Sequence, residues 1–179
     1  MDGRRPQQGY SLVELTVTLA IVAIVFAWGA PAFHNTLLDA RRAAAVNAFL
    51  HSLFSARSAS LRQGAFVSLC PSRDLEQCSG APRNWAEGWI VFVNRDRDVP
   101  PWVDRGEEVV ERHARLENIN LRANRDALVF RNDSFTGTTA SFVFCDARGG
   151  RFARAVIVSQ TGRPRLSESD AYGKPLRCD

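Results

Sequence analysis

Hydrophobic and polar positions divide the chain into stretches of different periodicity. A short polar leader, MDGRRPQQG, precedes an apolar run from about Leu12 to Phe33. About 20 such residues are enough to cross a bilayer as a helix. Arg4 and Arg5 precede the run with only Asp2 against them. This charge balance predicts that the leader stays in the cytoplasm and that the remainder of the chain is exported.

The pattern becomes amphipathic between His34 and Arg62. Apolar residues recur there at three- and four-residue spacings, which predicts that the helix continues and packs one stripe against a domain. Gly64 is a suitable residue to end it. The predicted stripe consists of Leu38, Val46, Phe49, Leu50, Leu53, Phe54 and Leu61.

Short β-type runs rich in Val, Ile and Phe follow Gly64, and turn residues separate them. The pattern therefore predicts an α+β fold, with a long N-terminal helix packed on a C-terminal domain of two small antiparallel sheets or one curled sheet. The predicted strands are 65–70, 89–94, 108–112, 118–122, 127–131, 141–145 and 154–159.

One carboxylate, Glu14, lies inside the apolar run, where a charge is costly unless it finds a partner. The surrounding sequence, GYSLVEL, resembles the class III signal of type IV pilins and pseudopilins. The resemblance implies prepilin peptidase cleavage after Gly9, Tyr10 as the first mature residue and Glu14 as the signature acid. The alternatives are an ordinary signal peptide and a plain membrane anchor. A secretory signal is cleaved after its apolar core, whereas the site here precedes the core.

This resemblance also implies how the protein is processed and assembled, and which partners it has. The new amino terminus would be N-methylated and would pair with Glu14, within one chain or between neighbouring subunits. Expected partners are other pilin subunits, the prepilin peptidase and the inner membrane before assembly. We expect a single-pass protein with a periplasmic C-terminus that later joins a type IV pilus at the cell surface. The segments are a leader (1–9), a transmembrane half-helix (10–33), an amphipathic half-helix (34–63) and an exported β domain (64–179).

Four cysteines in an exported domain predict two disulfides. We favour Cys70 with Cys78, which brackets a short loop, and Cys145 with Cys178, which would hold the C-terminus against a strand. The other two pairings remain possible. A four-cysteine zinc site is the rival interpretation, but zinc sites usually contain CxxC pairs and this sequence has none.

The composition permits a polyanionic partner without requiring one. The formal charge is +4 and the pI about 9.2, and Lys174 is the sole lysine beside many arginines. The segment Gly162-Arg163-Pro164-Arg165 follows the last predicted strand, and its two arginines would point to the same side of an extended chain. Further basic residues nearby are Arg148, Arg151, Arg154, Lys174 and Arg177. Charge alone favours an ordinary solvated turn.

Several motifs together resemble the GspH/FimT family. They are the pilin leader, the strand VSLC, the segment WAEGWIVFV with NRDRD after it, and the late turn G-R-x-R. The turn is similar to that of FimT-type minor pilins, which bind DNA in natural transformation. The resemblance implies DNA contacts at Arg163 and Arg165, so we expect a minor pilin that binds DNA phosphates for uptake. The alternatives are a minor pseudopilin of a type II secretion system and a priming minor pilin with a purely assembly role.

The segment after the second predicted strand imitates the start of a calcium loop. Asn94, Asp96 and Asp98 have the spacing of its first three ligands. The match ends there, because Val99 stands where such a loop needs Gly and Arg105 where it needs a bidentate Glu. We therefore predict a hairpin turn with alternating charges, and no metal.

Enzymatic function is not predicted. The three histidines are not accompanied by residues that would form a catalytic motif with them. Neither a phosphate-binding glycine loop nor a nucleophile elbow is present in the sequence. We expect no catalytic residues and no cofactor. Trp85, Trp89 and Trp102 are interpreted as core or edge packing rather than as platforms for nucleic-acid bases.

Overall fold

The computed structural model describes residues 11–79, 84–133 and 139–178, apart from the side chains of 29–32. One helix, α1, spans Leu12–Gln63, and Gly64 follows it with φ of +61°. The strands are β1 Phe66–Pro71, β2 Gly88–Asn94, β3 Val109–Ala114, β4 Asn120–Ala123, β5 Leu128–Phe130, β6 Ala140–Cys145, β7 Arg154–Val158 and β8 Pro164–Ser167.

The chain divides into two compact units, residues 1–40 and residues 41–179. The first unit contains the apolar run, in which the described side chains from Leu12 to Trp28 are exposed. By length and composition this helix could cross a membrane, with a mean hydropathy of 2.2 over its most apolar window. Glu14 lies in its first turn. Gly9 and Tyr10, the predicted cleavage site, lie outside the described residues.

In the second unit, α1 buries one face from Arg42 onward. The buried positions follow the three- and four-residue spacing of a helix face: Arg42, Ala45, Val46, Phe49, Ser52, Leu53, Ala56, Ala59 and Ser60. The predicted stripe is wrong at Phe54 and Leu61, which are 56% and 49% exposed. Alanines and serines take the buried positions near the helix end, because small side chains let the helix approach the sheets closely.

Two four-stranded antiparallel sheets form the remainder of this unit. One has the strand order β3-β2-β1-β5 and the other β4-β6-β7-β8. The predicted fold class, a long N-terminal helix with two small antiparallel sheets, is confirmed.

The main core lies between the helix face and both sheets. Phe49 is fully buried at its centre, with ring centroids 4.4 Å from Phe142, 5.2 Å from Trp89 and 5.8 Å from Trp85. The two pairs with tryptophan are edge-to-face, and pairs of this kind add to the stability that burial alone provides. Trp85 and Trp89 are therefore core residues, as the sequence indicates, whereas Trp102 is 49% exposed.

The two disulfides pair Cys70 with Cys78 and Cys145 with Cys178, which is the pairing that the sequence favours. The second bond holds the C-terminal tail on the outer face of the sheet β4-β6-β7-β8. A small second core lies beneath the tail and consists of Cys145, Ala153, Ala155, Ile157 and Leu176. Strand β7 is consequently buried on both faces.

Candidate nucleic-acid interface

The Gly162–Arg165 segment is part of a hairpin, and its second half is a strand that the sequence analysis missed. Pro164 and Arg165 begin β8, where they pair with Val158 and Ile157 of β7. The connection therefore consists of residues 159–163, and of the four residues predicted to form the turn only Gly162 and Arg163 lie in it. Pro164 is compatible with this place because β8 is an edge strand, where a missing backbone N–H is tolerated.

Ser159 organises the turn through its backbone and its hydroxyl. Its carbonyl oxygen accepts from the Gly162 N–H at 2.9 Å, and its own N–H donates to the Arg163 carbonyl oxygen at 3.1 Å. The Arg163 N–H donates to Ser159 Oγ at 3.3 Å, and this hydroxyl is also 2.9 Å from Thr161 Oγ1. Gly162 has φ of +69°, a conformation that favours glycine.

The helix supports the same turn from a distant point of the sequence. Arg57 of α1 donates from Nη1 to the Thr161 carbonyl oxygen at 3.1 Å. Sequence reasoning missed this contact, and no local pattern could have revealed a pair 104 residues apart. The hairpin tip is thus held both by its own hydrogen bonds and by the helix.

Arg163 and Arg165 are both exposed. Within the described residues, neither side chain has an ion pair or a hydrogen bond. Arg165 lies opposite Ile157, and directly opposite residues in an antiparallel pair share a face. Its side chain therefore belongs to the outer face of the sheet, the face on which the tail lies.

The tail brings further basic residues to this outer face. Lys174 and Arg177 are exposed and border a groove of about 510 Å³, together with Val143, Asp170, Pro175 and Leu176. The tail also passes close to Gly150, where an added Cβ would lie 2.3 Å from the Leu176 carbonyl oxygen. Arg151, the next residue, is exposed beside this approach.

Two of the predicted basic residues are already engaged within the protein. Arg154 forms an ion pair with Glu168, with Nη2 and Oε1 2.8 Å apart. Arg148 pairs with Asp146 at 2.7 Å and lies 4.4 Å above the Phe152 ring. Arg148 therefore has a structural role, and Arg154 is only partly available to a ligand.

The family of the chain follows from two matches. A family model for the prokaryotic N-terminal methylation motif matches residues 4–30, and one described as type II transport protein GspH matches residues 45–162. Because the second match covers more than half of the chain, the protein belongs to the GspH family of minor type IV pilins and pseudopilins. The resemblance seen in the sequence is thus confirmed. The matched range ends at Gly162, so Arg163 and Arg165 lie immediately beyond it.

A solved structure agrees with this fold. The chain is similar to the type IV minor pilin FimU of Pseudomonas aeruginosa strain PAO1, with a TM-score of 0.51 at 19% identity, covering 75% of this chain and 92% of that one. A second crystal form of FimU gives a TM-score of 0.47 at 18% identity, covering 70% and 90%. No curated protein matches the sequence. At this identity the likeness concerns the fold alone.

Proposed function

We propose that this protein is a minor type IV pilin whose β domain binds DNA for uptake in natural transformation. In this proposal the prepilin peptidase cleaves after Gly9 and methylates Tyr10. The helix then holds the subunit in the inner membrane, with the C-terminus in the periplasm, until it joins the pilus with other subunits.

The observation that carries the proposal is the pair of unengaged arginines on a braced hairpin. Arg163 and Arg165 are exposed and have no acidic partner within the described chain. The turn beneath them is fixed by Ser159 and by Arg57. A rigid base of this kind lowers the entropic cost of ordering arginine side chains against a ligand.

The surrounding surface supports a polyanionic ligand. Arg151, Lys174 and Arg177 are exposed, and the last two lie on the tail that covers the same sheet. Arginine forms bidentate contacts with phosphate oxygens, and such contacts carry no sequence information. Binding is therefore expected to be independent of sequence and sensitive to salt.

DNA binding can be tested by fluorescence anisotropy with the full chain in neutral detergent and a labelled DNA duplex of arbitrary sequence. We expect a Kd on the order of micromolar or weaker at physiological salt, typical of non-specific phosphate binding. Arg163→Ala and Arg165→Ala should each weaken binding and reduce the slope of log K against log salt by about 1.

A matched control is available on the same sheet. Arg122 is exposed and has no described partner, but it lies on β4, the edge strand opposite β8. Arg122→Ala removes the same charge about 14 Å away, the width of three strand spacings, and should leave binding nearly unchanged. The site assignment is wrong if the Arg163/Arg165 double variant binds as tightly as the parent, or if Arg122→Ala weakens binding equally.

The second candidate function is that of a minor pseudopilin in a type II secretion system. The description of the matched family model favours it. Such a subunit, like a priming pilin, needs no nucleic acid. If the parent protein binds no DNA even at low salt, an assembly role replaces the DNA-binding role.

A further inference from the structure

A second tight turn lies beside the proposed DNA surface and presents an aromatic side chain to solvent. The turn follows β8, and its ends pair through the backbone at Ser169 and Pro175. Tyr172 stands at its tip and is 88% exposed. Within the part of the chain that the structure describes, its hydroxyl makes no hydrogen bond and its ring contacts no other ring. A single exposed aromatic residue needs no explanation by itself, so its surroundings decide what it can do.

Asp170 fixes the backbone of this turn. Its Oδ1 accepts from the backbone N–H groups of Tyr172 and Lys174, both at 2.8 Å. Its own N–H donates to the Lys174 carbonyl oxygen at 2.9 Å, and its carbonyl oxygen accepts from the Gly173 N–H at 3.2 Å. The Tyr172 ring is therefore presented from a fixed backbone, which lowers the entropic cost of ordering it against a ligand.

The same turn borders the groove of about 510 Å³ on the outer face of the sheet. Val143, Pro175 and Leu176 supply the apolar part of the groove lining, and Lys174 and Arg177 supply positive charge. Proteins that hold single-stranded nucleic acid combine a positively charged groove with an aromatic ring on which a base stacks. The bases of a duplex are already stacked on one another, so they offer such a ring no free face. The surface beside Tyr172 therefore fits a strand with unpaired bases.

We propose that the β domain prefers DNA with unpaired bases, such as single strands and frayed ends, and that Tyr172 stacks on one of those bases. This inference rests on the proposed DNA-binding function and names the form of DNA that the surface selects. Lys174 and Arg177 contact the phosphates beside the stacked base, whereas Arg163 and Arg165 contact phosphates further along the strand. The two turns lie at opposite ends of β8, whose four residues span about 13 Å. About four nucleotides of a stacked strand cover this distance.

The other aromatic residues of the β domain are placed less well for stacking on a base. Trp85 and Trp89 are fully buried, and Trp102 lies in the connection between β2 and β3 of the other sheet. The Phe152 ring is covered by the Arg148 guanidinium, which lies 4.4 Å from its centroid. Among the described aromatic residues of the two sheets and the tail, Tyr172 is the most exposed.

Fluorescence anisotropy with the full chain in neutral detergent tests this preference, with a labelled oligothymidylate of about 16 nucleotides and a blunt duplex of equal length as probes. The single strand should bind at least as tightly as the duplex, although its lower charge density releases fewer counterions. Tyr172→Ala should weaken single-strand binding roughly tenfold, an effect within the range of one stacked base, and should change duplex binding less than about twofold. Tyr172→Phe keeps the ring and should bind both probes like the parent. Because the side chain is exposed, neither variant should change the Tm.

Trp102→Ala is the matched control, since it removes an exposed aromatic ring from the connection between β2 and β3, and it should bind both probes like the parent. The inference is overturned if the duplex binds more tightly than the single strand, or if Tyr172→Ala weakens binding of both probes equally or of neither. In these cases, duplex binding that depends on Arg163 and Arg165 leaves the proposed function intact. If the parent binds neither probe even at low salt, the proposed function and this inference are both wrong.

Discussion

At the scale of single residues, Glu168 should reduce the DNA affinity of the proposed surface. Its Oε1 lies 2.8 Å from Arg154 Nη2 in an ion pair, and the Glu168 side chain is 77% exposed. Glu168→Gln removes a negative charge near the hairpin and leaves Arg154 without this ion pair. We expect DNA affinity to rise roughly threefold at moderate salt, the size of effect that exposed charges produce.

Anisotropy titrations over a range of salt concentrations would measure this gain, which should disappear at high salt. Glu76→Gln, which makes the same charge change in the Cys70–Cys78 loop, should give little increase. A Glu168→Gln variant that binds DNA no better than the parent would mean that Arg154 takes no part in binding.

Asp146 is a second single residue with a testable effect, in this case on the stability of the fold. Its side chain is fully buried and accepts from Arg148 Nη2 at 2.7 Å and from Arg42 Nη1 at 3.2 Å. The hydrogen bonds from Arg148 lower the pKa of Asp146, outweighing the opposite effect of burial. Asp146→Asn removes the buried negative charge that both arginines contact, so we expect a loss of about 3 kcal/mol at neutral pH, typical of a broken buried pair.

The pH dependence follows from the direction of the shift. Because the folded pKa is below the ordinary value of about 4, the stabilisation is complete above that value and is lost as the pH falls toward the folded pKa. Thermal melts followed by circular dichroism should therefore show a weaker decline in stability below about pH 4 for Asp146→Asn than for the parent. Asp133→Asn, which changes an exposed ion pair with Arg131, should cost less than about 1 kcal/mol. Equal costs for the two variants would contradict a special role for Asp146.

At the scale of elements, the two disulfides should contribute unequally. The Cys145–Cys178 bond closes a separation of 33 residues and the Cys70–Cys78 bond one of 8. Loop-closure entropy predicts stabilisation of about 3.7 and about 2.5 kcal/mol, respectively. Replacing Cys145 and Cys178 by alanine should lower the Tm more than replacing Cys70 and Cys78. The Cys145/Cys178 replacement should also weaken DNA binding, because the tail that it releases carries Lys174 and Arg177.

Calorimetric melts and anisotropy on the two double-alanine variants compare these effects directly. If the Cys70/Cys78 variant loses as much DNA affinity as the Cys145/Cys178 variant, the tail is not part of the interface.

The extent to which sequence revealed structure also differs by element. Seven strands have alternating or strongly apolar sequences. They could therefore be predicted from the sequence, with their ends placed to within a residue or two. Strand β8, with the sequence PRLS, could not, because it has an exposed leucine and arginine and a proline at its start. The buried positions near the end of α1 could not be predicted for a related reason. Ala56, Ala59 and Ser60 pack there through their small size, whereas a search for hydrophobic stripes selects Phe54 and Leu61.

The candidate sites were predictable only where their residues are neighbours in sequence. Arg163 and Arg165 could be singled out, because they flank one proline. The support from Arg57 depends on how the chain folds back. The sequence therefore indicates the basic hairpin but not its support by the helix.

At the scale of the whole molecule, maturation should determine assembly. The methylation-motif match covers residues 4–30, which include Gly9, Tyr10 and Glu14. We expect mass spectrometry of the filament form to find a chain that begins at N-methylated Tyr10. Glu14→Val should be cleaved normally but should assemble poorly, because it removes the proposed partner of the new terminal amine. A chain that begins at Met1, or normal assembly of Glu14→Val, would contradict this scheme.

The DNA-binding proposal makes its most demanding prediction in the host cell. Arg163 and Arg165 lie on an exposed hairpin and contribute nothing to the core, so their double alanine variant should be stable and should assemble into pili. Several copies in a filament would raise the effective affinity for DNA, and the double variant would lose this multivalent binding. We therefore expect transformation to fall strongly while piliation, measured by electron microscopy, is retained. Arg122→Ala should transform like the parent. Undiminished transformation in the double variant would place DNA binding elsewhere, whereas loss of pili would indicate that this hairpin serves assembly.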